Sequence, residues 1–226
     1  MNFFRYNSFL VTPARFFKFF FKDLIWEMPT KEKKIWLTFD DGPDPIFTTE
    51  ILNILDKYSI KATFFLEGKK AAKYPYLIEQ IKKTNHSIGN HTNSHLNGWK
   101  TSTNTYLKDI YEAQIVIDSS LFRPPFGKIK ISQIKNLIKD FKIIMWSIMP
   151  LDFSNKTSDS EFKDNILKNV KKGSIIVLHC NSKSHHKVCK NLPDVLEELL
   201  KREYEFCSTW ELHKNDLNTY HHDLVL

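Results

Sequence analysis

Two adjacent carboxylates and two nearby histidines are the residues of this sequence that could bind a metal ion and use it. Asp40 and Asp41 end an apolar run, and one can ligate a metal while its neighbour stays free. His91 and His95 are four positions apart and share a face if that segment turns helically. With Asp41 they would form a set of two imidazoles and one carboxylate. Such a set binds Zn²⁺ or a similar divalent ion and leaves open positions for water and substrate.

Three further polar residues follow later strand-like segments. Arg123 precedes a Pro-Pro-Phe-Gly turn, Asp152 lies beyond Trp146, and His179 directly follows Leu178. Taken singly, each has an ordinary structural explanation, because adjacent acids before Gly-Pro make turns and Arg-Pro-Pro stiffens a loop. All of these residues, however, lie at the ends of successive strands, in an order that could build one pocket. This arrangement favours a single reactive site.

Short β-branched or aromatic runs alternate with longer helical patterns from residue 33 onward, as in parallel βα units. The predicted strands are residues 35–39, 62–66, 87–90, 121–123, 142–147, 174–179 and 204–208. The predicted helices are residues 48–58, 75–83, 103–118, 132–139, 159–170 and 192–201. Seven strands in this alternation predict an α/β fold with a parallel sheet, closed or partly closed. In a parallel barrel, reactive residues lie where strands end and loops begin.

Composition is that of one globular domain. The chain has 226 residues, of which 42% are hydrophobic and 26% charged. The net charge of +7 comes from 33 Lys and Arg that are spread along the chain, so we expect no nucleic-acid partner and only weak attraction to anionic surfaces. Three cysteines are too few for a disulfide framework.

The aromatic and basic opening, residues 1–32, is predicted to be an extension of the main domain. Charged residues interrupt every apolar stretch in it, which argues against a secretory signal and favours the cytoplasm or the periphery of the inner membrane. A helix from Pro13 would carry Phe16, Phe20 and Leu24 on one stripe. We favour packing of this extension on the domain over membrane contact through residues 1–25. The main domain is predicted at residues 33–215, followed by a tail at 216–226.

The polar constellation resembles the polysaccharide deacetylases with the NodB homology domain, also called carbohydrate esterase family four. The matching motifs are TFDDGP at residues 38–43, HTNSH at 91–95 and RPPFG at 123–127. Asp152 with Phe153 resembles the end of the fourth motif, and Leu178 with His179 resembles the fifth. The likeness spans about residues 33 to 213. It implies a distorted (β/α)7 barrel that holds one divalent metal, zinc first, with cobalt or nickel as alternatives.

The resemblance also implies catalytic roles. Asp41, His91 and His95 would be the metal ligands, Asp40 the general base and His179 the general acid. This assignment agrees with the chemistry, because hydrolysis of an amide needs a polarised carbonyl, a base for the attacking water and an acid for the leaving amine.

The remaining family positions would support those groups or the substrate. Arg123 would orient Asp40, and Asp152 would pair with His179. The backbone amide of Phe126 would stabilise the oxyanion. The substrate-binding residues implied by the resemblance are Pro125, Phe126, Trp146, Phe153 and Leu178.

Three positions depart from the family pattern. Met149 stands where the fourth motif usually has an additional acid, Phe153 where Trp is common, and Phe126 where Tyr is frequent. These changes make the side chains of the expected pocket wall smaller and less polar but leave the implied ligands, base and acid in place.

The function implied is hydrolysis of N-acetyl groups from a polysaccharide that contains N-acetylglucosamine, such as peptidoglycan, a chitin-like polymer or a surface glycan, by a monomeric enzyme. An O-acetyl glycan esterase is one alternative, because the same water attack serves an ester. A non-catalytic glycan-binding homologue is another, favoured by Met149 and by the unusual sequence after His179.

Two other groups of residues invite a functional reading. Cys180, His185, His186 and Cys189 could suggest a second metal site, but their irregular spacing in a Ser- and Lys-rich stretch favours a solvated loop. The tryptophans at positions 36, 146 and 210 lie in or beside strands and are predicted to belong mainly to the core. Trp99, in a loop, could stack on a sugar ring.

Overall fold

The computed structural model describes residues 11–12 and 21–211. Most of the N-terminal extension, for which packing on the domain was favoured over membrane contact, therefore lies outside the described residues, at 1–10 and 13–20. The predicted C-terminal tail, residues 216–226, lies outside them too. In the described part of the chain, no helix is both long and apolar enough to cross a membrane.

Eight strands and seven α-helices alternate along the described residues. The strands are β1 (Leu24–Ile25), β2 (Lys34–Gly42), β3 (Thr63–Leu66), β4 (Ser87–Asn90), β5 (Leu121–Phe122), β6 (Lys142–Ile144), β7 (Ile175–His179) and β8 (Glu205–Phe206). The helices are α1 (Phe47–Lys57), α2 (Gly68–Lys73), α3 (Pro75–Lys83), α4 (Thr103–Ile117), α5 (Ile131–Leu137), α6 (Asp159–Leu167) and α7 (His185–Lys201).

The strands form one parallel sheet in the order β1-β6-β5-β4-β3-β2-β7, and β8 pairs with the start of β2. The sheet curls until its two ends meet. Ile148, just beyond β6, bridges Ile176 of β7, and Glu27, just beyond β1, bridges Ser174. These short bridges join the region of β7 to the residues that follow β1 and β6, so the predicted distorted barrel is confirmed.

Alternation along β2 separates the two sides of the barrel wall. Leu37 and Phe39 belong to the large cluster between sheet and helices, which α1 and α7 complete. Trp36 belongs instead to a second cluster that includes Phe65, Ile175 and Trp210. Because successive side chains of a strand point to opposite faces, Thr38 and Asp40 lie on the side of Trp36. The polar end of β2 is thereby presented to the barrel interior.

The structure adds elements that sequence patterns missed. β1 is only two residues long, yet it pairs with β6, and Trp26 just after it is buried. The predicted extension thus supplies a strand to the sheet. Helix α2, with the sequence GKKAAK, is too short and too polar for a clear helical periodicity.

The prediction of a solvated loop at residues 180–189 was wrong from residue 185 onward. His185 and Cys189 lie in the first turns of α7, which begins seven residues before the predicted start at Leu192. The apolar stripe of this helix starts at Val188, which is fully buried. Pro193 inside the helix hid that continuity from a reading of the sequence. Cys180 is buried as well, and its thiol contacts the hydroxyl of Thr48 at 3.3 Å.

Candidate active site

A bulge at the end of β2 directs both carboxylates into one cavity. The register with β3 shifts between Asp40 and Gly42, and Asp41 adopts a left-handed φ of 74°. Asp is one of the few residues that tolerate this conformation. A regular strand would send the two side chains to opposite faces, but here Asp40 and Asp41 both line the cavity.

Asp41, His91 and His95 converge on one point. Oδ1 of Asp41 lies 3.4 Å from Nε2 of His91 and 3.0 Å from Nε2 of His95. One donor atom from each residue lies within 4.8 Å of the other two. The structure brings the three predicted metal ligands together.

The environment of these donor atoms fits a divalent cation. Nδ1 of His91 lies 2.8 Å from the carbonyl oxygen of Arg123, and when it donates its proton there it leaves the Nε2 lone pair free. Oδ1 of Asp41 is buried and accepts no hydrogen bond from the described residues. Burial raises the pKa of Asp41, but the neighbouring His91 and His95 outweigh that effect and hold the pKa well below its usual range. An ionised oxygen facing two imidazole nitrogens is the donor set of a metal centre.

The HTNSH segment brings His91 and His95 together without a helical turn. The sequence predicted that the two histidines would share a face only if this segment turned helically. Thr92 and His95 have left-handed φ angles of 66° and 54°. The carboxylate of Asp109, from α4, accepts the backbone N–H groups of Asn93 and Ser94 at 2.9 and 3.0 Å. A tight loop held by a buried acid therefore positions the second histidine.

Arg123 is fully buried and holds Asp40. Its Nη1 donates to Oδ1 of Asp40 at 2.7 Å and to the hydroxyl of Thr38 at 2.6 Å. Its Nε and Nη2 donate to the carbonyl oxygens of Ile144 and Met145 at 3.1 and 2.9 Å. The guanidinium is thus fixed on three sides, and the contact with Asp40 that the resemblance implied is present.

His179 and Asp152 form the second polar pair. Nδ1 of His179 lies 2.9 Å from Oδ1 of Asp152, whose other oxygen accepts the backbone N–H of His179 at 2.7 Å. Burial lowers the pKa of His179, but the charge of Asp152 and its hydrogen bond outweigh burial and raise the pKa to about 9. At neutral pH the imidazole is therefore protonated and able to donate a proton.

These groups share one cavity of about 410 Å³. Its lining residues are Asp40, Asp41, His91, His95, Phe126, Lys128, Trp146, Met149, Phe153, His179, Asn181 and Lys183. The unusual Met149 thus presents an apolar group to the cavity, while its backbone N–H donates to the carbonyl of Val11 at 2.8 Å.

The predicted substrate-binding residues divide into two groups. Phe126, Trp146 and Phe153 line the cavity, and the ring of Phe153 lies edge-on to His179 with centroids 5.4 Å apart. Leu178 is fully buried in the cluster between sheet and helices, because alternation along β7 turns it away from the side of His179. Pro125 is buried too and is not among the lining residues.

Sequence reasoning missed Asn181, which contacts the metal-ligand set directly. Its Nδ2 donates to Oδ2 of Asp41 at 2.6 Å, so the remaining oxygen of that carboxylate faces the two imidazoles. Its Oδ1 accepts the backbone N–H groups of Lys183 and Ser184 at 2.9 and 3.2 Å, which fixes the orientation of the amide. The only sequence feature that could have indicated it is its position two residues after His179.

Comparisons with known proteins agree with this site. A family model described as polysaccharide deacetylase matches residues 27–143. A peptidoglycan-N-acetylglucosamine deacetylase of Bacillus cereus is 36% identical over 83% of this chain and 91% of its own length. A chitooligosaccharide deacetylase of Azorhizobium caulinodans is 33% identical over 66% of this chain and 74% of its own. The crystal structure of the Bc1960 peptidoglycan N-acetylglucosamine deacetylase in complex with a naphthalenyl N-hydroxybenzamide superimposes with a TM-score of 0.79 at 30% identity, covering 84% of this chain and 93% of that one.

Proposed function

The chain belongs to the polysaccharide deacetylase family, and we propose that peptidoglycan is the polymer from which it removes the N-acetyl groups of N-acetylglucosamine. The observation that carries the deacetylase reaction is the ionised Oδ1 of Asp41, which faces two imidazoles in a cavity that Asp40 and His179 also line. Arg123 holds Asp40 and Asp152 holds His179. When bound by Asp41, His91 and His95, a divalent ion supplies Lewis-acid polarisation of the amide carbonyl and lowers the pKa of water. Zinc suits two imidazoles and one carboxylate.

Asp40 is positioned to accept a proton from the attacking water. Arg123 donates to Oδ1 of Asp40, which leaves Oδ2 for the water. His179, protonated beside Asp152, donates a proton to the amine nitrogen as the C–N bond breaks. The products are acetate and a free amino sugar, so one water is consumed and the protons balance.

The positive charge of two lysines that line the cavity favours an acidic glycan as the substrate. Lys128 and Lys183 both line the cavity, and neither forms an ion pair with a carboxylate of the residues that the structure describes. The ammonium of Lys128 lies 5.5 Å from the ring of Trp99, which is itself 60% exposed. Peptidoglycan carries carboxylates on its lactyl and peptide groups, whereas chitin is neutral. Unpaired lysines would attract the former.

Acetate release measured on several glycans tests the proposal. We expect release from peptidoglycan fragments in the presence of Zn²⁺, Co²⁺ or Ni²⁺, and loss of turnover in Asp40→Asn with metal binding retained. Activity only on O-acetylated xylan would identify an esterase, and sugar binding without turnover at full metal occupancy would identify a binding protein. An equal rate in Asp40→Asn would remove Asp40 as the base.

The choice of polymer has its own test. In Lys128→Gln/Lys183→Gln we expect a higher KM for peptidoglycan fragments and an unchanged KM for chitohexaose, with Lys139→Gln as a control for a lysine outside the cavity. A KM for peptidoglycan fragments that is unchanged from wild type in the double variant would contradict the role of charge and leave the deacetylase reaction standing.

A further inference from the structure

A second cluster of metal-ligating side chains lies outside the cavity, where α1 meets α7. Nε2 of His185 lies 3.0 Å from Oε2 of Glu50, and the thiol of Cys189 lies 3.4 Å from Nδ1 of the same imidazole. One donor atom from each of the three residues lies within 4.8 Å of the other two. None of the three lines the active-site cavity.

The two helices place these residues by regular geometry. His185 and Cys189 are four positions apart in α7 and therefore share one face of the helix. Phe47 of α1 stacks on the imidazole of His185 with ring centroids 4.3 Å apart, which holds the ring between the helices. The side chain of His185 is 17% exposed and that of Glu50 is 52% exposed. The imidazole is thus fixed, while the carboxylate is free to adjust.

We propose that Glu50, His185 and Cys189 bind a second divalent ion of the zinc class. One thiolate sulfur, one imidazole nitrogen and one carboxylate oxygen form a donor set that suits Zn²⁺, Cd²⁺ or Co²⁺ and does not suit Mg²⁺ or Ca²⁺. Three protein ligands leave the fourth tetrahedral position to water.

The donor atoms must move closer around one nitrogen of His185 to hold such an ion. Zinc bonds of about 2.0–2.3 Å in a tetrahedron separate neighbouring donor atoms by roughly 3.3–3.8 Å. In the structure the imidazole uses Nδ1 toward Cys189 and Nε2 toward Glu50, whereas an ion takes one nitrogen only. The exposed Glu50 is the residue that can shift to complete the site.

Ion binding here would connect the second site with the first. Residues 180–184 join His179 to the start of α7, and they include Asn181, which donates to Asp41. An ion bound between α1 and the first turns of α7 would restrain residues 180–184 at the end that joins α7. The inference does not depend on the proposed substrate or reaction.

Metal stoichiometry tests the proposal on the full chain. After removal of metal with a chelator and reloading with Zn²⁺, elemental analysis is expected to give two ions per wild-type chain. One ion is expected in Cys189→Ser and in Glu50→Gln. Cys207→Ser is the matched control, since Cys207 is also a half-buried thiol but lies away from the cluster, and it should retain two ions. With Co²⁺, wild type and Cys207→Ser should show the near-ultraviolet absorption of a thiolate ligand, which Cys189→Ser should lack.

One ion per wild-type chain together with no thiolate absorption would overturn the second site, as would two ions in both Cys189→Ser and Glu50→Gln. Because Glu50 is exposed, its substitution should leave the fold intact. Glu50→Gln therefore still tests the second site if Cys189→Ser fails to fold. Acetate release by Cys189→Ser distinguishes the two proposals, because this variant keeps every ligand of the active-site ion and should remain active if only the second site is lost.

Discussion

The hydrogen bond from Asn181 to Asp41 should control metal affinity. The donor–acceptor distance is 2.6 Å, and the acceptor is a buried carboxylate whose other oxygen faces His91 and His95. Without the amide, the carboxylate can rotate away from the two imidazoles. A hydrogen bond to a charged group contributes about 1.5–3 kcal/mol, and about 1.4 kcal/mol corresponds to a tenfold change in affinity. We therefore expect Asn181→Ala to bind Zn²⁺ about 10- to 100-fold more weakly.

A second variant separates this effect from loss of the turn that precedes α7. Asn181→Ser keeps a hydroxyl oxygen that can accept the backbone N–H two residues later, but it is too short to donate to Asp41 and adds no charge beside that carboxylate. Its thermal stability should therefore stay close to wild type while its metal affinity falls. Asn191→Ala, which removes a hydrogen bond from α7 to Asp159 at a distance from the cavity, is the control for stability and should leave metal affinity unchanged.

The assay is competition for Zn²⁺ with a fluorescent chelator, carried out in a Cys189→Ser background so that only the active-site ion contributes. Acetate release at saturating Zn²⁺ should recover most of the wild-type rate, because the substitution weakens binding of the ion and leaves Asp40 and His179 in place. Unchanged affinity in both Asn181→Ala and Asn181→Ser would refute the assignment of Asn181 as a positioning residue.

Three further outcomes are expected. Arg123→Lys should lower kcat much more than it raises KM, and denaturant unfolding should show a loss of about 2 kcal/mol, because a lysine cannot reproduce the fork that reaches Asp40 and two carbonyls together. Burial, reinforced by the charge of Lys61, lowers the pKa of His86 from 6.5 to about 4. As pH falls from 6.5 to 4, His86 therefore becomes protonated in the unfolded chain before it does so in the folded chain. The contribution of His86 to the free energy of unfolding should therefore fall by about 3 kcal/mol as pH drops from 6.5 to 4, and His86→Asn should lack this contribution. Parallel plots of unfolding free energy against pH for wild type and His86→Asn would contradict this role of His86. The full chain should sediment with anionic liposomes more than a chain that begins at Phe21, which keeps β1, and equal sedimentation would reject membrane contact.

The alternation of strands and helices was predictable because each pattern is local. Helix α1 is an example, since the spacing of Ile51, Leu52 and Leu55 gives one apolar face, and all three residues are buried. β1 was not predictable, because two residues carry no periodicity and pair only when β6 offers an edge. The N-terminal turns of α7 were obscured by polar residues and by Pro193, although the helix continues through both.

The active-site residues divide along the same line. The residue types and motif order were sufficient to predict that Asp41, His91 and His95 would meet, since parallel strands place their ends at one edge. The geometry in which these three side chains meet could not be predicted from the local sequence. The bulge at Asp41 depends on pairing with β3, and the loop that carries His95 depends on the carboxylate of Asp109 from α4.

The fold class, the family and the set of chemical groups were predictable, because they follow from periodicity and from motifs within a few residues. Packing between distant elements was needed to place Asn181 against Asp41, Leu178 on the helix side of the sheet, and Glu50 of α1 beside His185. Each of these contacts joins elements distant in sequence, and its geometry depends on how strands and helices pack, which no local pattern specifies.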